Sequence, residues 1–425
     1  NFLSEVQDYH IDPPGSHRTA GRMRGDRASV EKAADLLINA ERPMIFSGHG
    51  VVLSEASPEL IELAEHLAAP VATSLVGQGG FPKDHPLSVD CPNSVANPAV
   101  SHAMKTADVV LAIGTRFGEA ETCSWNPDFA FDPWDRHKLI QVDISGEEMG
   151  KVYPIAVPIV GDAKAVLAEL VTLVRDGSPS RSRDTHPWWQ ELKVHQDNWA
   201  ATKAEDEASD EVPIKVQRLL GDLNKVMPAG SIVLVDTGGF GYAVGQHLSI
   251  NEPQTYYYNL GVGSMGPVMP AALGAKLARP DKKVIAITGD GGFTCQMSGL
   301  ITAVEYNIPV LYLVVNNYSY NSIEAYQHKH FDGRVLGTAF VDRQGKPYNP
   351  DFVALAKACG ADGLRVENPE DLTSAFEKAL ASPIPFVLDV VCGQTRFPKA
   401  YGYIDFNDIL SKDAQFKRDR AAQAG

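Results

Sequence analysis

The sequence predicts an α/β protein with two doubly wound parallel-sheet domains. Two observations indicate this class. Apolar, β-branched segments alternate with segments of helical spacing along most of the chain, and glycine turns follow several of the apolar segments. A polar, proline-containing segment at 178–189 then separates two alternating regions of similar size. The 425 residues are enough for two hydrophobic cores.

The first alternating region predicts a middle domain over 29–177, preceded by an irregular linker over 1–28. Helical spacing occurs in SVEKAADLLINA, SPELIELAEHLAA and DAKAVLAELVTLVRDG. Extended segments are PMIFS, PVATSL, DVVLAIG and HKLIQVDI. We interpret the polar stretch over 178–211 as a linker to the second domain.

The second region predicts another parallel sheet over 212–400, followed by a C-terminal tail over 401–425. Its predicted strands are SIVLVD, KVIAIT, PVLYLVV and PFVLDVV. Its predicted helices are PIKVQRLLGDLNKVM, PVMPAALGAKLA, GFTCQMSGLITAVEY, PDFVALAKACG and PEDLTSAFEKALA. Helices between consecutive strands make the sheet parallel and bury both of its faces.

Composition argues against two classes of partner. A net charge of −15 disfavours nucleic acid and anionic membranes as main partners. No apolar run reaches the roughly 18 residues of a transmembrane helix. The five cysteines are widely spaced and form no C-x-x-C pair, which is typical of reduced thiols. We therefore expect a cytoplasmic protein.

Polar residues follow two consecutive predicted strands. Asp290 follows KVIAIT, and Asn317 follows PVLYLVV. Right-handed crossover makes these strands near neighbours, so both side chains reach the same edge of the sheet. A carboxylate and an amide oxygen suit Mg2+, and Gly291 and Gly292 let backbone N–H groups approach a phosphate. These features predict Mg2+ bridged to a diphosphate; the alternative is a helix cap and an ordinary Asn-Asn turn.

A second glycine motif supports a competing hypothesis. Gly261, Gly263 and Gly266 form G-x-G-x-x-G before a predicted helix, which is the fingerprint of dinucleotide binding. The alternative function is therefore an NAD-dependent dehydrogenase. That function leaves the paired asparagines and the Gly291-Gly292 turn without a role.

The stretch GDGGF…VVNN resembles the cofactor signature of thiamine diphosphate enzymes of the acetolactate synthase and pyruvate decarboxylase type. SLVGQGGFPKDHPLS, ADVVLAIGTRF, QVDIS and PIVGDAKAVL are similar to the middle domain of acetolactate synthases. NLGVGSMGPVMPAALGAKLA and DFVALAKACGADGLRV are similar to the diphosphate-binding domain. The resemblance covers about residues 28–395.

This resemblance implies thiamine diphosphate and Mg2+ as cofactors. The implied metal ligands are the side chains of Asp290 and Asn317 and the backbone carbonyl of Ser319. Met265 stands where the family has an apolar wedge that bends the cofactor, and Ile323 and Tyr326 stand in the substrate pocket. The implied cofactor contacts are Thr237, Gly238, Gly239, Phe240, Gly263, Ser264, Met265, Gly289, Asp290, Gly291, Gly292, Asn317, Ser319, Tyr320 and Asn321.

The resemblance also implies a nucleotide, FAD or ADP, on the middle domain. Arg116 could pair with a phosphate of that nucleotide. The alternative is that the glycines only form turns between strands and helices. The residues concerned are Gly48, Gly50, Gly114, Thr115, Arg116 and Asp143.

The implied reaction is carbon–carbon lysis, decarboxylation or ligation next to a carbonyl, on 2-oxo acids, acyloins or 2-hydroxyacyl substrates. In the family, a glutamate on an N-terminal pyrimidine-binding domain activates the cofactor. No catalytic residue is therefore assigned to this chain. We expect the pyrimidine domain on another polypeptide or on a cleaved N-terminal part, and a homo- or hetero-oligomer such as a dimer of dimers. The alternative is a non-catalytic subunit on the same scaffold.

Overall fold

A computed structural model describes residues 10–17, 21–92 and 97–394. The predicted tail over 401–425 lies outside these residues. Within them, the two predicted parallel sheets are both present, and each has six strands. The predicted α/β class with two doubly wound sheets is confirmed.

The first sheet has the order β3-β2-β1-β4-β5-β6, and all its strands are parallel. Its strands are β1 (Pro43–Ser47), β2 (Val71–Thr73), β3 (Ser88–Asp90), β4 (Val109–Ile113), β5 (Lys138–Asp143) and β6 (Val157–Val160). The helices around it are α1 (Arg27–Asn39), α2 (His49–Leu53), α3 (Ser57–Leu67), α4 (Pro98–Thr106) and α5 (Ala163–Gly177). The helix α6 (Pro187–Glu207) follows.

The second sheet has the order β11-β12-β10-β9-β7-β8 and is also fully parallel. Its strands are β7 (Ile232–Val235), β8 (Tyr256–Tyr258), β9 (Val284–Gly289), β10 (Leu311–Asn316), β11 (Asp362–Val366) and β12 (Phe386–Val391). Its helices are α7 (Val216–Val226), α8 (Phe240–His247), α9 (Val268–Ala278), α10 (Asp290–Gln296), α11 (Ser298–Glu305), α12 (Asn321–His330), α13 (Phe352–Ala358) and α14 (Leu372–Ala381).

Burial explains which strands the pattern could predict. Every residue of the inner strands β1, β4 and β10 is buried, and these strands read as continuous apolar runs. The sequence pattern did not predict four strands, β3, β6, β8 and β11. These are the edge strands of the two sheets. An edge strand is covered less completely, so its sequence lacks a long apolar run.

The segment interpreted as a linker, 178–211, is mostly the helix α6. Trp188, Trp189 and Leu192 of this helix are buried in the core of the first sheet. The indole nitrogen of Trp189 donates a hydrogen bond to the carbonyl of Ala68 at 2.6 Å. The polar residues on its other faces hid this helix from the pattern analysis. None of the helices in the described ranges is long and apolar enough to cross a bilayer.

Side chains of the first domain contact α8 of the second domain. Gln78 and Lys83 both donate to the carbonyl oxygen of Gly245 in α8, at 2.8 and 2.7 Å. Leu75 packs so closely on Gly245 that a Cβ there would lie 2.4 Å from the leucine Cδ1. The backbone N–H of Leu75 donates to Glu121 Oε1 at 2.6 Å. Glu121 therefore supports a loop that packs between the domains.

We expect Glu121→Gln to stabilise the protein above neutral pH. Burial raises the pKa of Glu121 to about 7 from its ordinary 4.5. The folded state then binds a proton more tightly than the unfolded state, so stability falls as the pH rises between these two values. The variant should gain up to about 3 kcal/mol in the free energy of unfolding at pH 8 and little at pH 4.

Urea denaturation at both pH values measures this difference. Glu147→Gln is the control, because Glu147 is exposed. Equal gains at pH 4 and pH 8 would contradict a raised pKa for Glu121.

Candidate functional site

The site lies where the second sheet changes its direction of winding. After β7 the chain adds β8 on one side, and it then returns to add β9 on the other side. Ligands of doubly wound proteins bind in the crevice at such a switch point, outside the carboxyl ends of the strands. Asp236 follows β7 and Asp290 follows β9 at this position. The fold therefore places two carboxylates at the crevice.

Asp290 and Asn317 meet at this edge. Gly289 of β9 is opposite Val315 of β10 in the parallel register, so the two strands end side by side. The carboxylate of Asp290 accepts a hydrogen bond from Gly291 N at 2.9 Å and further bonds from the backbone N–H groups of Asn317 and Tyr318. Burial raises the pKa of Asp290, and these hydrogen bonds oppose that shift. The turn after β10 is thus attached to the aspartate.

The predicted metal ligands provide only oxygen atoms. Ser319 Oγ donates to Asn317 Oδ1 at 3.5 Å, and both residues are buried. Ser319 also pairs with Ala339 in an isolated antiparallel β-bridge. The hydrogen bonds of this bridge are made by the neighbours Tyr318 and Tyr320, so the Ser319 carbonyl takes no part in them. Among the described residues, no three His, Cys, Asp or Glu side chains form a metal-binding cluster. One carboxylate, one amide and one carbonyl match the preference of a hard cation such as Mg2+.

Asp236 connects three loops of the site. Its Oδ2 accepts from Gly266 N at 2.7 Å and from Thr288 Oγ1 at 2.8 Å, and its Oδ1 accepts from Thr237 N at 3.0 Å. Burial raises the pKa of Asp236, while these donors lower it. Asp236 was not predicted from the sequence as a part of the site. Its only signal was a position directly after a buried strand, which an ordinary turn cap shares.

Close packing requires glycine at the turn after β9. A Cβ on Gly292 would lie 2.3 Å from Asp236 Oδ2, and one on Gly291 would lie 2.5 Å from Tyr320 Cε1. Tyr320 in turn packs edge-on against Phe340. Both glycines therefore serve the packing of the site, in addition to any role in phosphate binding.

The residues of the predicted turn after β7 are buried or half-buried. Phe240 is buried in the core of the second sheet, and its ring covers Gly238 and Gly289. The amide of Asn321 lies beside Gly239, 3.2 Å from where its Cβ would stand. Asn321 Oδ1 is buried without a hydrogen-bond partner among the described residues. This end of the crevice thus has a polar group available for a ligand.

The loop before α9 leaves its predicted wedge exposed. Gly263 has a φ of +71°, and Gly266 has a φ of +93°, so both adopt the left-handed region that favours glycine. Between them Met265 keeps 40% of its surface exposed. The amide nitrogen of Asn259 donates to the carbonyl of Ser264, and Thr237 Oγ1 donates to the carbonyl of Asn259 at 2.8 Å. These bonds join this loop to the turn after β7.

The predicted pocket residues Ile323 and Tyr326 lie on α12, which begins soon after the Asn317 turn. Ile323 is 53% exposed and Tyr326 is 38% exposed. Burial and the nearby charge of Glu119 raise the pKa of Tyr326, and Glu119 belongs to the first domain. Tyr326 therefore lies near the loop after β4, and Ile323 is exposed one turn earlier on the same helix.

The nucleotide candidates of the first domain also gather at a switch point. Gly48 and Gly50 follow β1, Gly114 follows β4, and Asp143 ends β5, and these three strands are neighbours. The glycine turns pack backbone to backbone, with Gly50 N donating to Gly114 O at 3.0 Å. Burial raises the pKa of Asp143, and the charge of Arg116 lowers it. Thr115 is buried next to Arg116, whose side chain is exposed.

The topology weighs against the dehydrogenase hypothesis. The strand before Gly261, Gly263 and Gly266 is β8, which lies at the edge of its sheet. The dinucleotide fingerprint instead follows a central strand at the switch point. In this sheet the strands at the switch point, β7 and β9, are followed by Asp236 and Asp290.

Comparison with known proteins agrees with this arrangement. Residues 30–170 match the family described as "Thiamine pyrophosphate enzyme, central domain", and residues 236–390 match "Thiamine pyrophosphate enzyme, C-terminal TPP binding domain". The first match contains the first sheet and the second match contains most of the second sheet.

Similar curated proteins carry two kinds of name. The probable acetolactate synthase large subunit of Methanocaldococcus jannaschii is 33% identical over 90% of this chain and 62% of its own length. The sulfoacetaldehyde acetyltransferase of Alcaligenes xylosoxydans xylosoxydans is 33% identical over 84% of this chain and 61% of its own length. The acetolactate synthase large subunit of Haemophilus influenzae is 30% identical over 84% of this chain and 60% of its own length.

The chain thus spans about three fifths of the length of the curated relatives it matches. Within that span, the two matched regions correspond to the two sheets in chain order, and each has glycine turns at its switch point. This chain therefore belongs to the thiamine pyrophosphate enzyme family.

Proposed function

We propose that this protein binds thiamine diphosphate through Mg2+ and acts in carbon–carbon lysis, decarboxylation or ligation next to a carbonyl group. The observation that carries this proposal is the meeting of Asp290 and Asn317 at the ends of β9 and β10. It supplies oxygen donors at a switch point where diphosphates bind in doubly wound proteins.

The residues fit the cofactor. Asp290, Asn317 and the carbonyl of Ser319 would hold Mg2+, and the turns at 237–240 and 289–292 would hold the diphosphate. Met265 is exposed between two left-handed glycines and would contact the cofactor body. When bound, thiamine diphosphate supplies a carbanion and an electron sink. The protein's own part is to bind, bend and orient it.

Activation of the cofactor needs a partner in this proposal. The glutamate that activates the pyrimidine ring would come from a pyrimidine-binding domain, on another polypeptide or on an N-terminal part of the same protein. Exposed apolar side chains support a partner: Leu277 on α9, Ile301 on α11, and Tyr306 directly after α11. Two relatives are named large subunits, which supports a homo- or hetero-oligomer such as a dimer of dimers.

The proposed substrates are 2-oxo acids, acyloins or 2-hydroxyacyl compounds. Ile323 and Tyr326 stand three positions apart on α12 and would form one wall of the pocket. Relatives are named acetolactate synthase and sulfoacetaldehyde acetyltransferase, so the substrate panel should include the substrates of both enzymes.

We also propose FAD or ADP on the first domain, held by the turns at 48–50 and 114–117 with Arg116 on a phosphate. The exposed guanidinium of Arg116 near Asp143 supports this placement. An absorbance spectrum of the purified protein, with chromatography of the extracted nucleotide, checks it. Absence of both nucleotides would show that these glycines only serve the packing of the turns.

The proposed location is the cytoplasm. All five cysteines are free thiols in the structure, and three of them are buried. Free thiols persist in a reducing compartment. Cell fractionation with an antibody to this chain tests the proposal, and enrichment in an oxidising compartment would contradict it.

The central test is cofactor retention by the purified protein. The protein is mixed with thiamine diphosphate and Mg2+, with and without a candidate pyrimidine-domain partner, and passed through gel filtration. We expect cofactor to co-elute only when Mg2+ is present, and turnover of the substrate panel only when the partner is present. Robust turnover by this chain alone would refute the need for a partner. Retained cofactor with no turnover under any condition would favour a non-catalytic subunit.

A further inference from the structure

A chain of hydrogen bonds runs from Asp290 across the carboxyl end of the second sheet. Asn349 Nδ2 donates to Asp290 Oδ2 and to Asn316 Oδ1, each at 2.8 Å. Asn316 Nδ2 donates in turn to Asp389 Oδ1 at 2.9 Å. These bonds connect the carboxylate after β9 with a carboxylate inside β12.

Asp389 determines the direction of this chain. Asp389 is fully buried, and Arg365 Nη1 donates to its Oδ2 at 2.7 Å. The ionised carboxylate accepts hydrogen bonds only, so Asn316 must turn its amide nitrogen toward Asp389 and its oxygen toward Asn349. Asn349 must then present its nitrogen, whose two hydrogens serve Asn316 and Asp290. The negative charge of Asp389 therefore sets the orientation of the side-chain amides of Asn316 and Asn349.

The same bonds hold the carboxylate of Asp290 from two sides. Asn349 engages Oδ2, while Gly291 N engages Oδ1 at 2.9 Å. The backbone N–H groups of Asn317 and Tyr318 also donate to this carboxylate, so its orientation is fixed from several directions. Asn349 itself is half-buried in the loop between α12 and α13 and is not one of the proposed metal ligands.

We propose that Asn349 is a positioning residue that orients the Asp290 carboxylate for the divalent cation. The ordered donor chain from Asp389 keeps its amide nitrogen directed at Asp290 before the cation binds. A ligand held in its binding geometry loses less freedom on binding, so the cation binds more tightly. This inference rests on the proposed function, because it assumes that Asp290 is a metal ligand.

Binding of Mn2+ to the purified protein, with thiamine diphosphate at a fixed saturating concentration, tests the proposal. The electron paramagnetic resonance signal of free Mn2+ reports the affinity without any assay of activity. We expect Asn349→Ala to weaken Mn2+ binding by about 10- to 100-fold. Asn368→Ala is the matched control. Like Asn349, Asn368 precedes a proline and an acidic residue, but it is exposed and its side chain makes no capping bond. The Mn2+ affinity of the Asn368→Ala variant should therefore equal that of the wild type.

Thermal unfolding without metal separates positioning from a purely structural role. A folded Asn349→Ala protein with wild-type Mn2+ affinity would overturn this inference. If that variant does not fold, Asn349→Ser keeps a donor on a shorter side chain and is measured in the same way. Failure of both variants to fold would also overturn it, because Asn349 would then maintain the fold. If the wild type binds no Mn2+, the proposed metal site fails instead.

Discussion

Asp290→Asn is expected to abolish Mg2+-dependent retention of thiamine diphosphate. Asp290 provides the only carboxylate among the proposed donors, and its loss removes the charge that attracts the cation. We expect the affinity for Mg2+ to fall by more than about 100-fold, since loss of a partner group alone typically costs 10- to 100-fold. Calorimetric titration with Mg2+ at saturating thiamine diphosphate measures the change.

The stability of the cofactor-free protein should change little in this variant. Burial disfavours the charged form of Asp290, so a neutral side chain of the same shape removes that cost. The variant also places an amide NH2 among donors such as Gly291 N and Asn349 Nδ2, which opposes the gain. We therefore expect a net change within about 2 kcal/mol. Loss of Mg2+ affinity together with a retained fold would identify Asp290 as a metal ligand.

Asp281→Asn is the control, because it makes the same charge change on an exposed loop just before β9. It should leave both the Mg2+ affinity and the unfolding midpoint unchanged. Wild-type affinity in Asp290→Asn would contradict the assignment of this edge as the metal site.

Gly48→Ala is expected to give the largest loss of stability. The new Cβ would lie 2.1 Å from the carbonyl oxygen of Gly114 and 2.6 Å from Thr115 Cα. The φ of Gly48 is −100°, which any residue adopts, so the effect comes from the contact alone. Gly48 N is also bonded to Ile113 O at 2.9 Å, which prevents the turn from moving away. We expect a loss of about 3 kcal/mol or more in the free energy of unfolding.

Urea denaturation of the nucleotide-free protein measures this loss, with Gly146→Ala as the control in the same domain. A Cβ at Gly146 would meet Val160 at an ordinary 3.8 Å, so that variant should be within about 0.5 kcal/mol of the wild type. Wild-type stability in Gly48→Ala would contradict the packing explanation. The glycine at 48 would then be explained by a bound nucleotide rather than by Gly114.

The sequence by itself determined the class of the fold and allowed two metal donors to be predicted. Inner strands such as β1 and β10 are covered on both faces, so they must be apolar throughout, and this pattern is visible without a structure. Because ligands gather at the ends of such strands, Asp290 and Asn317 could be predicted as metal donors from their positions alone.

Only the tertiary structure decided what surrounds these donors. Asn349 reaches Asp290 because the loop after α12 folds back across the sheet edge, and Asp236 joins Gly266 to Thr288 because β7 and β9 are neighbours. No local sequence pattern predicts either contact, since the partners are far apart in the chain. The helix α6 was not predicted for a similar reason. Trp188 and Trp189 are buried by a domain that precedes the helix, and the residues of α6 show no strong apolar face. Periodicity reports what one element buries, whereas contacts between distant elements depend on how the whole chain packs.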